Sequence, residues 1–404
     1  MFWTYWSAGT ISHVGSAVTA VALPLVAVLA LDASAFQVGL LAAATYAAWL
    51  VLGLPSGVIV QRLPLRGTQV AMDLIRAAAL GSIPLAWWLG HLTLTHLVVV
   101  ALVVGFANVI FDVGNMTFLP TLVSKDELTA RNSLMSGTHA TTQVGGPSLG
   151  GLLVQLLGAV PTLLVDAASY LVSAVLMRQL PPRRVPRPQA GGSMARMIRD
   201  GWRFVNGHPI MRPAMWDATA TNFVNGALHA LVPVYLVREL GASALMVGLL
   251  IAADGVGTLL GAALTPRLSR RLGTARVMLW AGLGGALLAL LMPVGAGWPG
   301  MLCFALGYGG FAAGVVVLSV NTRTYRQTAS PPELLSRVMA TVRFVSWGAI
   351  PLGSVAAGAL ATVAGVREAL LTASVLAFVP LLILWFSPVR RLRDLDDYPA
   401  ESAG

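Results

Sequence analysis

Long apolar stretches separated by short polar connections fill almost the whole chain. Twelve of them are long enough to cross a bilayer, because a helix needs about 20 residues to span about 30 Å of hydrocarbon. Only helices or closed barrels satisfy the backbone in lipid, and these runs are too uniformly apolar for alternating barrel strands. The pattern therefore predicts an all-α polytopic membrane protein. The predicted segments, which we name spans 1 to 12, cover residues 2–31, 36–60, 70–90, 97–119, 133–157, 161–180, 214–237, 244–264, 275–295, 299–322, 338–363 and 369–386.

The composition supports this class of protein and excludes others. Hydrophobic residues make up 56% of the chain and charged residues 10%, whereas soluble domains have about 45–50% and about 25%. The net charge of +10 would suit nucleic-acid binding, but no loop interleaves aromatic and basic residues as base-stacking surfaces do. The single cysteine, Cys303, excludes a disulfide framework and a cysteine metal cluster. We expect no nucleic-acid partner, no cofactor and no metal site.

The placement of basic residues predicts the orientation in the membrane. Of 26 Lys and Arg residues, 22 fall in alternate connections or in the C-terminal tail, while the opposite loops hold Arg238 and Arg367. By the positive-inside rule, the arginine-rich side and both termini are cytoplasmic. Span 1 is too long for a signal peptide, and no small-residue cleavage site follows it. Arginine outnumbers lysine 25 to 1, as in many GC-rich genomes, so we expect a bacterial inner (plasma) membrane protein.

The longest connection divides the spans six and six. We predict an N-terminal half over 1–180, a cytoplasmic connection over 181–212, a C-terminal half over 213–388 and a cytoplasmic tail over 389–404. After a Pro- and Arg-rich stretch, the connection has a helical pattern with an arginine face opposite an apolar face. Such a helix suits the cytoplasmic membrane surface, and binding to a partner protein is the alternative. The apolar positions are Met194, Met197, Ile198, Trp202 and Val205.

The two halves repeat each other at one offset. Glu-Leu-x-x-Arg occurs at 127–131 and again at 333–337, 206 residues later. Pro147 in span 5 and Pro351 in span 11 lie 204 residues apart. A repeated six-span half is the plan of many transporters, which bind their substrate between the halves near the middle of the membrane.

With these features, the chain resembles the major facilitator superfamily over essentially its full length. The loop after span 2, Gly57-Val-Ile-Val-Gln61-Arg62-Leu-Pro-Leu-Arg66, is similar to the superfamily signature G-x-x-x-D-R-x-x-x-R. Gln61 replaces the acidic residue of that signature. In span 1, Gly15-Ser16 stands where the macrolide-efflux and enterobactin-exporter branch of the superfamily often has Gly-Asp. The resemblance makes Arg62 and Arg66 candidate residues of a cytoplasmic gate.

Two further groups of residues narrow the resemblance to exporters. Gly145, Gly146, Pro147, Gly150 and Gly151 in span 5 resemble the G-P-x-x-G-G motif of exporters. Glycines let a neighbouring helix approach closely, and proline favours a kink, so the motif serves either as hinge and seal or as plain packing. The stretches similar to the macrolide-efflux and enterobactin-exporter branch are Phe111-Asp112 with Leu119-Pro120, Glu127-Leu128 near Asn132, and Gly201-Trp-Arg-Phe with His208-Pro209 and Arg212.

Ionisable residues inside spans are costly and mark candidate functional sites. Asp254 lies near the middle of span 8, so we predict that it carries the driving proton, with Asp112 and His139 as further candidates; a permanently protonated acid is the alternative. We predict that Asp112 pairs with Arg343 as a gate near the cytoplasmic face. Asp73 is the alternative partner of Arg343, although it lies one turn from Arg76 and could pair with it.

Polar and aromatic residues on several spans are candidates to line the substrate cavity. Spans 1, 4, 7 and 10 usually line it in the superfamily, and other candidates come from spans 2, 5 and 11. The candidates are His13, Tyr46, Asn108, Gln143, Asn222, Asn225, Tyr308 and Trp347.

We therefore expect a secondary active exporter of amphipathic small molecules, such as drugs, antibiotics or natural products. The expected partners are this substrate, a proton and the lipid bilayer, with a monomer favoured. No G-x-x-x-x-G-K-[ST] loop supplies ATP chemistry, and no zinc or nucleophile motif indicates an enzyme. Siderophore export is the alternative within this class, and a membrane receptor or membrane enzyme is the alternative outside it.

Overall fold

The computed structural model describes residues 1–52, 63–119, 122–181 and 194–398. Within these ranges the chain forms helices joined by short connections, and it contains no β-strand. Each of the twelve predicted spans contains a helix, which confirms the all-α prediction. In order, the spans form Phe2–Leu25 with a π-helical end at Val26–Ala30, Ala35–Leu52, Leu65–Trp88, Leu94–Phe118, Lys125–Leu157, Ala159–Arg178, Met211–Val234 with a π-helical end at Tyr235–Glu239, Ala244–Leu272, Thr274–Ala289, Gly297–Ala329, Pro332–Ala364, and Val366–Leu376 followed by Phe378–Trp385.

Ten of these helical segments are both long and apolar enough to cross a membrane on their own. The helix of span 9, Thr274–Ala289, is apolar but has only 16 residues. The helix of span 5 has 33 residues, but its sequence is rich in Ser, Thr, Gly, His and Gln. Span 12 divides near Ala377 because Pro380 has no backbone N–H to donate to the preceding turn.

The described chain divides into two compact units. Unit 1 contains Met1–Gln189 together with Leu236–Ala252, and unit 2 contains Ala190–Tyr235 together with Ala253–Gly404. Unit 1 thus holds spans 1 to 6 and the first residues of span 8. Unit 2 holds the connection helix Met194–Gly207, almost all of span 7, the rest of span 8 and spans 9 to 12.

The two halves of the sequence have the same local features at equivalent places. Spans 1 and 7 both have a proline near the end of the α-helix and continue into a five-residue π-helix. After each π-helix, a backbone hydrogen bond joins residues six positions apart in the chain. These bonds run from Ala33 N to Ala27 O at 2.9 Å and from Ala242 N to Leu236 O at 2.8 Å. These shared departures from regular helix show the predicted repeat in the backbone.

The connection helix packs against the start of span 11 within unit 2. A Cβ on Gly201 would lie 2.7 Å from the Arg337 carbonyl oxygen, so glycine allows the two helices to touch. Arg337 Nη1 donates to Asp200 at 3.0 Å across the same contact. Of the predicted apolar face, Val205 is buried in the core of unit 2 and Trp202 remains exposed. One part of this face therefore packs on protein.

The C-terminal segment is anchored to the start of span 9. Asp394 Oδ1 accepts a hydrogen bond from Thr274 N at 2.8 Å, and the Thr274 hydroxyl oxygen accepts one from Leu395 N at 2.8 Å. A free N–H group at the beginning of a helix is thereby satisfied by a carboxylate. The described part of the tail, up to Tyr398, is thus held to unit 2.

Candidate functional site

A buried ion pair on span 3 is the first element of a polar site in unit 1. Asp73 and Arg76 are three residues apart on one helix and form a direct ion pair, with side chains 0% and 3% exposed. The predicted local pairing of these two residues is therefore confirmed. The alternative pairing of Asp73 with Arg343 stays a prediction.

Side chains from spans 4 and 6 hold this ion pair. Arg76 Nη1 donates to Asn108 Oδ1 at 2.9 Å, and the Ser173 hydroxyl donates to Asp73 at 2.8 Å. The guanidinium carbon lies 4.0 Å from the ring centre of Phe111 and 4.1 Å from that of Tyr170. Aromatic faces stabilise a cation that has lost its water. Asn108 was predicted to line a cavity, and in the structure its amide oxygen contacts the buried charge.

Asp166 on span 6 is a second buried carboxyl of unit 1, with no exposed surface. The Thr19 hydroxyl donates to its Oδ2 at 2.6 Å, and the Ser169 hydroxyl contacts its Oδ1 at 2.9 Å. A Cβ on Gly15 would overlap both Asp166 Oδ1 and Ser169 Oγ, so only glycine lets span 1 approach the carboxyl. The sequence placed Asp166 within span 6 but gave it no role.

A matching spacing on two spans is the signal by which the sequence could have indicated this site. Ser12, Gly15, Ser16 and Thr19 follow the i, i+3, i+4, i+7 spacing of one helix face, and so do Asp166, Ser169, Tyr170 and Ser173. The structure brings the two faces together, with Ser16 Oγ 2.9 Å from the Tyr170 hydroxyl. Spans 1 and 6 thus meet along small and polar residues.

Two histidines meet where spans 1 and 5 pack. The rings of His13 and His139 lie 5.4 Å apart, centre to centre, in an edge-to-face arrangement. Gln143 Nε2 lies 3.4 Å from His139 Nε2 one turn along span 5. His139 and Gln143 are exposed and His13 is half-buried, so this polar face is accessible at the surface of unit 1.

The glycine-proline motif of span 5 is a close helix contact. A Cβ on Gly146 would overlap Ala17, and one on Gly150 would lie 3.1 Å from the backbone of Val18. Gly151 faces the first turns of span 8, where its Cβ would lie 2.5 Å from the Ala244 carbonyl oxygen. Gly145 has no atom within 4 Å of its Cβ position, so its reason for being glycine is not packing. The geometry supports the packing interpretation of the other three glycines.

Asp254 lies eleven residues into the helix Ala244–Leu272, about 15 Å from its first residue at 1.5 Å per residue. Its side chain is half-buried. Across the described ranges, no hydrogen bond or ion pair engages its carboxyl. On the next turns, Gly257 and Gly261 pack directly on the backbone of span 10, at Gly309 and Ala313. The carboxyl therefore lies beside a tight contact between spans 8 and 10.

Of the candidate gate residues, Arg66 and Asp112 belong to unit 1 and Arg343 belongs to unit 2. Arg66 Nη1 donates to the Leu180 carbonyl oxygen at 2.9 Å, which joins the start of span 3 to the end of span 6. Arg62 lies outside the described residues. Asp112 is half-buried in unit 1, and the guanidinium carbon of Arg343 lies 4.4 Å from the Trp347 ring centre in unit 2. The pairing of Asp112 with Arg343 stays a prediction.

The remaining cavity candidates differ in burial. Tyr46, Asn222 and Asn225 are half-buried on spans 2 and 7. Tyr308 is buried on span 10, with its ring 5.4 Å from that of Phe304. Asp217 at the start of span 7 is a further buried carboxyl, and the charge of Arg326 acts on it. In the parts of the chain that the structure describes, no group of three or more His, Cys, Asp or Glu residues could hold a metal ion.

Comparison with known proteins agrees with this architecture. A sequence model of the transmembrane secretion effector family, within the major facilitator superfamily, matches residues 1–403. The chain belongs to this family. It is 27% identical over 398 residues to the multidrug efflux pump Tap of Mycolicibacterium fortuitum, across 95% of this chain and 94% of that protein.

Solved structures show the same fold at low sequence identity. The nucleoside transporter NupG superimposes with a TM-score of 0.76 at 13% identity, over 96% of this chain and 99% of that one. A bacterial homologue of the iron transporter ferroportin superimposes with a TM-score of 0.67 at 18% identity, over 94% and 98%. The predicted major facilitator fold is confirmed, and this family member is a multi-span membrane transporter.

Proposed function

We propose that this family member is a proton-coupled exporter of amphipathic small molecules, such as drugs, antibiotics or related natural products. It works by alternating access in a bacterial plasma membrane, with both termini in the cytoplasm. The observation that carries the proton-coupling part of the proposal is Asp254, a carboxyl without a bonded partner among the described residues, about 15 Å into a membrane span.

Such a carboxyl is suited to carry a proton. A charge in hydrocarbon is costly, so an acid at this depth gains from protonation, and water that reaches it from one side favours ionisation. Since no ion pair within the described ranges holds the carboxyl, proton uptake and release at Asp254 break no salt bridge there. Opening to each side in turn can then couple the proton to substrate movement.

The direction and substrate class are supported by relatives, several of which are named multidrug efflux pump. The sequence has no ATP-binding loop of the Walker type, which favours an ion gradient as the energy source. The Asp112–Arg343 gate and the cavity residues on spans 1, 2, 4, 5, 7, 10 and 11 remain parts of this proposal.

Transport by the purified protein in liposomes tests the function. An imposed pH gradient should drive ethidium against its concentration gradient, and a proton carrier that dissipates the gradient should stop this movement. A sodium gradient of equal size and protein-free liposomes are the controls. Ethidium movement driven by sodium alone would contradict proton coupling, and no uphill movement of ethidium or of a catecholate siderophore would contradict export itself.

A further inference from the structure

Unit 1 contains two carboxyls and one guanidinium that are buried in the same set of helices. We propose that Asp73, Arg76 and Asp166, which we name the unit 1 charge cluster, form a proton-binding site distinct from Asp254, in which Asp166 takes up and releases the proton. The role of this site in transport rests on the proposed function, whereas the existence of the site does not depend on it.

The charges of the cluster do not balance when both carboxyls are ionised. Asp73 contacts Arg76 directly, and this pair is neutral. Asp166 is also completely buried, and the charge of Arg76 acts on it, but no direct ion pair joins them. An ionised Asp166 therefore leaves one net negative charge in the membrane interior, which protonation removes. Asp166, rather than Asp73, carries the proton, because Asp73 lies closer to the cation Arg76.

The surroundings of Asp166 accommodate both forms of the carboxyl. Hydroxyl groups can donate or accept a hydrogen bond. The Thr19 hydroxyl at 2.6 Å and the Ser169 hydroxyl at 2.9 Å can donate to an ionised carboxylate, and an oxygen of either can accept from a protonated one. Proton exchange then requires rotation of hydroxyl groups, and the helices can keep their positions.

Other titratable groups belong to the helices that pack against span 6. Span 3 contributes Asp73 and Arg76, and span 6 itself contributes Tyr170, whose ring lies on Arg76. Span 1 contributes His13, on which the charge of Arg76 also acts. Span 5 contributes His139, in ring contact with His13. Among these groups, Arg76 is the one cation of fixed charge. Protonation or ionisation of Asp166 changes the electric field at each of these groups.

A structural role is the alternative, in which a permanently neutral Asp166 only ties span 1 to span 6. Infrared difference spectroscopy between high and low pH separates the two, since it follows the carboxylic C=O stretch without any transport. We expect purified wild-type protein to show a band of a protonated carboxyl that disappears on raising the pH. This band should contain one component from each titrating carboxyl. Asp166→Asn, which keeps the shape of the side chain, should lose one component. Asp32→Asn, which changes an exposed loop residue, and Asp254→Asn should both keep that component.

A band unchanged by Asp166→Asn, or a band that persists at all pH values at which the protein is folded, would overturn the proposal. Thr19→Val serves as the second variant if Asp166→Asn does not fold. It removes a donor to the ionised carboxyl, so the band should disappear at a higher pH than in the wild type. The same transition pH in wild type and Thr19→Val would count against a titrating Asp166.

The transport role has its own readout. In liposomes, Asp166→Asn should lose uphill ethidium movement driven by a pH gradient but keep ethidium exchange without a gradient. Pumping at the wild-type rate by Asp166→Asn would exclude the cluster from coupling. Failure of the wild type to pump would contradict the proposed function, and the infrared result would still decide whether Asp166 binds a proton.

Discussion

The carbonyl oxygen of Pro147 occupies the space in which a Cβ of Gly248 would lie. Span 5 and span 8 therefore touch backbone to backbone at the glycine-proline motif, and a side chain on either helix must separate them. Small residues are the usual means by which membrane helices approach this closely.

Gly248→Ala should destabilise the protein, because the added methyl group has no space. Overpacking of this kind costs about 1–3 kcal/mol, and it should lower the thermal unfolding midpoint of the purified protein in detergent. Gly145→Ala is the matched control on the same motif, since its Cβ position is open. It should leave the midpoint unchanged or raise it, because alanine favours helix over glycine by about 0.5–1 kcal/mol. Equal effects of the two substitutions would contradict the packing interpretation.

Asp73→Asn should destabilise unit 1 strongly. The substitution leaves Arg76 buried without its carboxylate, and breaking a buried pair in this way costs about 3–5 kcal/mol. Ser173→Ala removes a hydrogen bond to the same carboxylate and should cost about 1 kcal/mol. Unfolding midpoints and expression levels measure both. Combining Asp73→Asn with Arg76→Gln should recover part of the loss, and a double variant worse than Asp73→Asn alone would argue against a direct pair.

The sequence predicted the helices better than the contacts among their polar residues. Apolar runs alone placed a helix at all twelve spans, since lipid permits little else. The Asp73–Arg76 pair was also predictable, because its residues lie one turn apart. The bond from Thr19 to Asp166 joins residues 147 positions apart. The spacing on each helix shows a polar face, but only the tertiary fold determines which two faces meet.

His208, which precedes span 7, should make stability depend on pH. Burial lowers the pKa of this histidine, and its Nδ1 accepts hydrogen bonds from Ile210 N at 3.2 Å and Met211 N at 3.3 Å. The folded protein therefore favours the neutral ring. Its contribution to stability is complete above the unfolded pKa of about 6.5 and is lost as the pH falls below that value. His208→Asn should reduce the change in unfolding midpoint between pH 7.5 and 5.5 that the wild type shows, and an identical pH profile would contradict this role.

The predicted orientation can be tested with single cysteines on a Cys303→Ala background. Asp32 lies in the loop after span 1, with a side chain 96% exposed, and Arg199 is exposed on the connection helix. The distribution of basic residues puts the first outside and the second in the cytoplasm. A membrane-impermeant maleimide should label Asp32→Cys in intact cells and label Arg199→Cys only after the membrane is opened. Labelling of Arg199→Cys in intact cells would contradict the predicted orientation and indicate the reverse one.

Asp254→Asn should uncouple transport from the proton gradient. The amide imitates the protonated carboxyl permanently, so the variant should still bind ethidium and exchange it across liposomes in the absence of a gradient. Uphill movement driven by an imposed pH difference should disappear, because no proton can be gained on one side and released on the other. Asp254→Glu is the control, since it keeps a titratable group at nearly the same position and should retain part of the pumping.

Thermal unfolding of both Asp254 variants separates coupling from folding. No hydrogen bond or ion pair within the described chain holds the Asp254 carboxyl, so its replacement by an amide should leave the unfolding midpoint close to that of the wild type. A folded Asp254→Asn protein that pumps at the wild-type rate would place the driving proton elsewhere. Asp166 in unit 1 would then be the next residue to test, ahead of Asp112 and His139, because it is completely buried and its charge is not balanced.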